Sequence, residues 1–281
     1  MTPTIPRWKR IIETALAEYK NQTGTLSTFE SPLGVLPQSS DGAGTRAQRS
    51  PFEIATTDNT RPTPRVRSHI FRSFLSHPSH PSLPLLLSST DIRTPKVSQI
   101  ANHKAVEIAW WIDGTQQQFR ILANVYIVPE PNHPLLAPFR KQLEESKLEA
   151  GDAISLYPST EEWESQRKSM FASMSAHMRA SWCRPTPGSP LSLHGGPEAV
   201  KNWPTRVVQP DREKMSPEEF KEAQKNWELA LSNFALVVID PYEVDFVDLG
   251  GAKGKLDRRW LFVKAREGEY GWKWTEEELV P

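Results

Sequence analysis

The sequence predicts an α+β protein, mainly β with flanking helices, on three observations. Runs such as Ala105–Ile112 (AVEIAWWI), Gln117–Val128 (QQFRILANVYIV) and Phe234–Asp240 (FALVVID) combine strand length with β-branched and aromatic residues. Apolar residues at helical spacing mark separate helices near the N-terminus and ahead of residue 234. The 25 prolines cluster at 62–84, 129–138 and 185–210, between the strong strands, and read as long connections around a β-rich body.

With 281 residues, 37% of them hydrophobic, the chain can bury a substantial core as one large domain or two small ones. Its formal net charge is zero, so it has no general attraction to nucleic acid or to anionic membranes, and any anion site must be local. The basic residues form no extended stripe, which also argues against a nucleic-acid partner. Cys183, the single cysteine, excludes an internal disulfide framework and fits a reducing compartment. The opening MTPTIPRWKR lacks a long apolar run, and no window of about 18 apolar residues follows. The expectation is a soluble, cytoplasmic protein with no membrane partner.

Taken in order, Trp8, Ile12, Ala15, Leu16 and Tyr19 predict an amphipathic helix over 6–20, packed on the body. Residues 24–49, rich in Ser, Gly, Thr and Gln, read as a loop. Phe52–Thr57 and Val66–Phe74 read as a β-hairpin with its tip at 58–64. Arg67 and Arg72, five apart, point to opposite faces if that second strand is unbroken, so one of them can enter a ligand pocket. HPSHPSLPL then reads as an irregular link, followed by a strand at Leu85–Ser88 that ends at Thr90-Asp91. His77 and His80 lack a carboxylate or cysteine partner at metal-ligand spacing, so no metal site is expected there.

Thr94-Pro95-Lys96 opens a helix through Val97, Ile100 and Ala101. A hydroxyl, a proline and a lysine at a helix start suit an anion, because the first amides lack intrahelical partners and the dipole adds positive potential. Trp110 and Trp111, adjacent in a strand, face opposite ways: either both serve plain hydrophobic packing, or one enters the core and the other meets a ligand, a subunit or solvent. Gln118 on the next strand offers both donors and an acceptor. Surface helices follow at 132–148 and at 160–180, the latter starting at Ser159. Met170, Met174 and Met178 on its face read as core or subunit interface. Residues 191–215 read as a proline-punctuated loop, and Ser216-Pro217-Glu218-Glu219 starts a helix that runs to about Leu231. Tyr242–Leu249 alternates, with Val244 and Phe246 on one face, and a last hairpin turns around Glu267-Gly268. Cys183 has neither the base nor the orienting group that a nucleophile needs.

PRVRSHIFRSF (64–74), STDIRTPKVSQI (89–100), AVEIAWWI (105–112), QQFRI (117–121), DPYEVDFVDL (240–249), LDRRW (256–260) and the closing Val280-Pro281 together resemble the pyridoxamine 5'-phosphate oxidase family, in its plant, fungal and cyanobacterial branch. The resemblance implies a single FMN-binding split β-barrel over 1–281, with the family's N-terminal helix at 6–20 and insertions at about 24–49 and 191–215. It also implies an FMN cofactor, no catalytic side chain beyond the flavin, and a homodimer that closes the site. By position, Arg67 and Lys96 match the family's phosphate-binding pair, with Thr94 as a hydroxyl donor and Thr90 as a further FMN contact. Ser68, His69 and Ile70 match the strand whose backbone runs along the ring, and Gln118 matches the ring-edge amide. Arg259 matches the arginine near N1 and the C2 carbonyl, where positive charge favours the reduced anionic ring. Gly188 and Ser189 are candidates to reach the partner's flavin.

The family's substrate phosphate lysine is Arg72 here, its Arg-x-His substrate pair is replaced by Lys255 and Asp257, and Pro95 replaces a phosphate-contacting arginine. The expected activity is that of an FMN-dependent oxidase acting on a small molecule such as pyridoxamine or pyridoxine 5'-phosphate. The alternative is an FMN-binding split-barrel protein without turnover.

Overall fold

Two strands that are neighbours in the chain stand at opposite ends of the sheet, and their short connection curls that sheet into a barrel. The computed structural model describes residues 4–25, 51–58, 60–61, 63–250, 256–268 and 271–281, with backbone only for 20–25. Strands β1 (Pro51–Thr57), β2 (Pro64–Ile70), β3 (Ser73–His77), β4 (His80–Asp91), β5 (Ala105–Ile112), β6 (Gln117–Val128) and β7 (Phe234–Asp248) run in the order β2-β1-β5-β6-β7-β4-β3. Strand β8 (Arg258–Glu267) pairs with β7, and β9 (Gly271–Leu279) with β8. Only Phe71 and Arg72 separate the two end strands, so the ends must meet. The Ser88 hydroxyl donates to the Ile70 carbonyl at 2.9 Å and the Arg72 amide to the Leu87 carbonyl at 2.9 Å, stitching that seam.

The barrel is split along β7. One edge of this strand pairs with β6 from Leu236 to Asp248, whereas the other serves β4 from Phe234 to Ile239 and β8 from Glu243 to Asp248. Pro241, which has no amide hydrogen, lies in the interval between those two ladders, where none is needed.

Alternation assigns the faces. Arg67, Ile54, Ile108, Ile121, Val244 and Phe262 form one cross-strand row from β2 to β8, and its aliphatic and aromatic members are fully or almost fully buried inside the barrel. Helix α1 (Arg7–Thr25) closes one side of that interior through Trp8, Ile12, Ala15 and Leu16. The Trp8 ring lies 6.1 Å from Phe74 and 5.2 Å from Trp274, so it ties the helix to β3 and β9. Burial of each such large apolar side chain contributes about 1.5–3 kcal/mol, which is enough to dock a helix that would be marginal alone. The outer face of β4, β6 and β7 is covered by α3 (Leu136–Glu145) and α4 (Thr160–Ala172), through Phe139, Leu143 and Trp163. Helices α5 (Ala176–Ala180), α6 (Gly196–Ala199) and α7 (Pro217–Asn233) complete the excursion from β6 to β7. Helix α7 starts with a full capping box at Ser216 and Glu219.

Several expectations need correction. The predicted strand Val66–Phe74 is two strands, because the chain leaves β1 at Ile70 and crosses the seam to join β4. The predicted irregular link is mostly strand: β4 begins at His80 and carries Pro81 and Pro84 where it does not yet pair with β7. The helix expected over 160–180 breaks after Ala172, since Ser175 caps a new helix by accepting from the Met178 amide. The three methionines therefore do not share one continuous helix face, although all pack in the cluster around Phe171 and Phe234. Residues 191–202, expected as loop, form short helical turns. The loop expected over 24–49 lies outside the described residues from 26 onward. The N-terminal helix starts as expected but runs on to Thr25, the first strand of the expected hairpin is β1, and α2 (Pro95–Asn102), α7 and the closing hairpin stand where the sequence puts them.

Candidate functional site: two half-sites on opposite faces of the sheet

The first half-site gathers cations at the barrel seam. Arg67 sits on β2 directly opposite Ile54, which turns its side chain to the inner face, toward the start of α2. Its Nη2 donates to Gln99 Oε1 at 2.5 Å, and its Nη1 to the Arg65 carbonyl at 3.0 Å and to Thr56 Oγ1. Gln99 also accepts from Thr56 Oγ1 at 2.7 Å and donates through Nε2 to Asp58 Oδ2 at 3.2 Å. Lys96, at the second position of α2, is half-buried and has no hydrogen-bond or ion-pair partner among the described residues. Burial pushes the Lys96 ammonium below its ordinary value, the Arg67 charge adds to that, and Asp91 opposes it. Arg67 is also depressed, by burial first and then by Arg65. Two partly desolvated cations that disfavour each other define a place where an anion is stabilising.

Around them, the Thr94 hydroxyl donates to the Asp91 carbonyl at 2.8 Å and lies 3.5 Å from the Thr90 hydroxyl. Its hydrogen is therefore committed in this structure, and a role as phosphate donor requires it to turn. Thr90 is buried and its carbonyl accepts from Trp182 Nε1 at 3.3 Å, so the Ser181–Cys183 turn braces the end of β4 from behind. This places the start of the 181–190 segment against its own barrel. Further on, the Ser189 hydroxyl bonds the Thr186 carbonyl and His194 Nε2, each at 2.7 Å.

His69 stands two residues after Arg67 on the same face, 3% exposed and stacked on Phe52. Its Nδ1 is 3.2 Å from Ser88 Oγ, whose hydrogen is donated to the Ile70 carbonyl. Ser88 must then accept, which assigns the hydrogen to Nδ1 and leaves Nε2 a bare, buried acceptor without a partner. Burial, with Lys96 and Arg67 nearby, holds this imidazole neutral down to about pH 3. Ser68 is exposed on the other face of β2.

The second half-site lies on the outer face. Gln118 is opposite both Trp111 and Val247, and Val247 is opposite Arg259, so the amide and the guanidinium share one row. Trp110 is fully buried in the barrel while Trp111 is 39% exposed on this outer face. Arg259 makes a two-pronged contact to Asp245, and Arg120 Nη2 reaches the same carboxylate at 2.7 Å. Arg259 is thus paired within the protomer, but the two guanidiniums and one carboxylate leave one positive charge on this surface.

The structure therefore joins Arg67, His69, Thr90, Thr94 and Lys96, and separately joins Gln118 and Arg259. Within one protomer the two groups emerge on opposite faces of the same curled sheet, so Arg259 does not converge with the first pair. Arg72 does diverge from Arg67 as expected, but for another reason. The strand ends before it, and its Nε and Nη2 reach Ser89 Oγ, at 3.3 Å, on the outer face of β4. Asp257 is exposed just ahead of β8, and Lys255 lies outside the described residues. Sequence reasoning missed Thr56, Asp58, Gln99, Arg120 and Asp245. Gln99 carried a usable signal, since it is polar on the buried helix face formed by Val97 and Ile100.

Comparison with known proteins bears on these two groups. Residues 33–129 match the family model described as pyridoxamine 5'-phosphate oxidase, FMN-binding domain, a span that includes the whole first half-site and Gln118. The chain is 20% identical to the pyridoxine/pyridoxamine 5'-phosphate oxidase 2 of Arabidopsis thaliana, over 85% of this chain and 91% of that protein. It is 22% identical to an uncharacterised protein of Saccharomyces cerevisiae, over 82% of this chain and 92% of the other. A solved pyridoxamine 5'-phosphate oxidase-related, FMN-binding protein from Nostoc punctiforme superposes with a TM-score of 0.59 at 20% identity, covering 99% of this chain and all of that one.

Proposed function

We propose, from the match of residues 33–129 to the FMN-binding domain model and from the fold shared with the Nostoc punctiforme protein, that the chain is an FMN-dependent oxidoreductase of the pyridoxamine 5'-phosphate oxidase type that works as a homodimer. The observation that carries this is the pair Arg67 and Lys96, half-buried and touched by no carboxylate among the described residues. The donor set fits FMN. Two cations that meet beside the start of α2 suit its phosphate.

When bound, FMN supplies the redox chemistry, accepting a hydride at N5 and returning to its oxidised form with oxygen. The chain's own residues bind, orient and polarise. Arg67 and Lys96 would hold the phosphate end, the β2 backbone from Ser68 to Ile70 would run beside it, and Thr90 and Thr94 would stand next to the two cations. Gln118 serves a ring edge and Arg259 places positive charge near it. Because these last two lie on the opposite face, a two-fold partner has to present its outer face to the seam for one flavin to meet both half-sites. The exposed Trp111 on that outer face suits such a contact. Arg72 offers a cation to a phosphorylated substrate such as pyridoxamine or pyridoxine 5'-phosphate.

A second reading, FMN binding without turnover, is favoured by Asp257, which is exposed and adds negative charge where the family holds a substrate-binding histidine. One experiment separates the readings. The purified protein is examined by light scattering and absorbance, its chromophore is released and identified, and pyridoxamine 5'-phosphate is supplied under air. A yellow dimer that yields FMN, peroxide and aldehyde supports the oxidase, and a yellow dimer without products supports binding alone. A colourless monomer that takes up no added FMN sinks both.

A further inference from the structure

The Arg67 guanidinium is held by neutral oxygens. It donates to the Thr56 hydroxyl, the Arg65 carbonyl and the Gln99 amide oxygen. The nearest carboxylate in the network, Asp58, is one step removed: it accepts from Gln99 Nε2 at 3.2 Å, pairs with Arg65 Nε at 3.4 Å, and caps the turn through the Thr60 amide at 3.0 Å. Gln99 itself is 9% exposed, on the buried face of α2. A carboxylate at this position would hold a guanidinium more strongly than an amide does, since charge-assisted bonds are roughly twice as strong. It would also neutralise the cation that an incoming anion needs. An amide avoids that conflict, because one end accepts from Arg67 while the other donates to Asp58.

We propose that Gln99 is a positioning residue for the phosphate site: it fixes the Arg67 guanidinium and keeps Asp58 one side chain away from it, so that the charge of Arg67 stays available to the anion. This rests on the assignment of the Arg67–Lys96 pair to the FMN phosphate. It predicts that discrimination between FMN and riboflavin, which differ only in the phosphate, depends on where the network's single carboxylate stands.

The test exchanges the two side chains. In Asp58→Asn/Gln99→Glu the net charge is unchanged, the new amide at position 58 can still accept from the Thr60 amide and donate to residue 99, and the carboxylate now touches Arg67. Apoprotein dissociation constants for FMN and for riboflavin are measured by flavin fluorescence quenching, alongside melting temperature, for this double variant, for Gln99→Met and for the parent. The double variant is expected to melt near the parent, bind riboflavin within about twofold of it, and bind FMN about tenfold or more weakly. Gln99→Met, which loosens Arg67 without neutralising it, is expected to lose less FMN affinity than the double variant. Equal loss for both flavins in either variant, or parental FMN affinity in the double variant, overturns the proposal. If the double variant does not fold, Gln99→Met decides: parental preference for FMN over riboflavin there removes the positioning role. A parent protein that does not prefer FMN to riboflavin would instead overturn the phosphate assignment itself, a distinct result.

Discussion

Arg259 grips Asp245 with two parallel hydrogen bonds, Nε to Oδ1 at 2.9 Å and Nη2 to Oδ2 at 2.7 Å, and Arg120 shares the second oxygen. Asp245→Asn adds one positive charge to this cluster without removing either guanidinium. If the cluster faces a flavin ring across a dimer, the reduced anionic ring gains and the reduction potential rises, by on the order of 30 mV, since that corresponds to about 1.4 kcal/mol for a two-electron couple. Potentiometric titration of the FMN-loaded protein measures it. A potential equal to the parent's would place Arg259 away from the ring.

Lys96→Ala removes a half-buried cation that has no ion-pair partner among the described residues. The expected loss is roughly 2 kcal/mol of FMN affinity, about thirtyfold in Kd, with riboflavin affinity little changed. Equal weakening of the two flavins would show that the phosphate sits elsewhere.

His69 gives the apoprotein a pH dependence whose sign follows from its environment. Its folded-state value is pushed down to about 3 by burial and by the charges of Lys96 and Arg67, against 6.5 for an ordinary histidine. Between those values the unfolded chain binds a proton that the native protein refuses, so this stabilising contribution is complete above pH 6.5 and is lost as pH falls toward 3. Urea midpoints across that range are expected to decline less steeply in His69→Asn than in the parent. Parallel declines would mean that other groups dominate acid unfolding.

The split of the barrel is pinned by a buried ion pair. Lys264 Nζ meets Asp240 Oδ1 and the Gly151 carbonyl, both at 2.8 Å, and Asp240 Oδ2 accepts from the Ile154 amide at 3.3 Å. Burial raises the Asp240 carboxyl, and the Lys264 charge opposes this. Lys264→Met would strand the carboxylate, and breaking one side of such a pair costs about 3–5 kcal/mol. Chemical denaturation measures the cost, and a change below about 1 kcal/mol would mean that water reaches Asp240.

Most of the architecture was legible in the residues, because burial imposes a period. Phe119, Ile121, Ala123 and Val125 alternate into the barrel, and the α7 start is written out by Ser216, Pro217 and Glu219. What escaped depends on long-range pairing. Nothing local in Ile70–Arg72 announces that the chain changes partner there, and the prolines of β4 read as link because their unpaired edge belongs to the tertiary structure. The same holds for the site. Arg67, Lys96 and Gln118 came from resemblance to a family, whereas Gln99 and Asp58 act through contacts between residues 32 to 41 positions apart, which no spacing pattern encodes. Nor does sequence order reveal that Arg67 and Arg259 emerge from opposite faces of one sheet.

Strands β6 and β7 form a ladder from Gln117–Asp248 to Val128–Leu236, yet residues 129–233 separate them along the chain. The entropy of closing so long an excursion grows only logarithmically with its length, about 0.6 kcal/mol per doubling. The helices held between these strands can thus be lengthened or trimmed at little thermodynamic expense to the ladder. The rate of assembly is where the detour tells, because the central pairing of the barrel must wait for its two halves to find each other across roughly a hundred intervening positions.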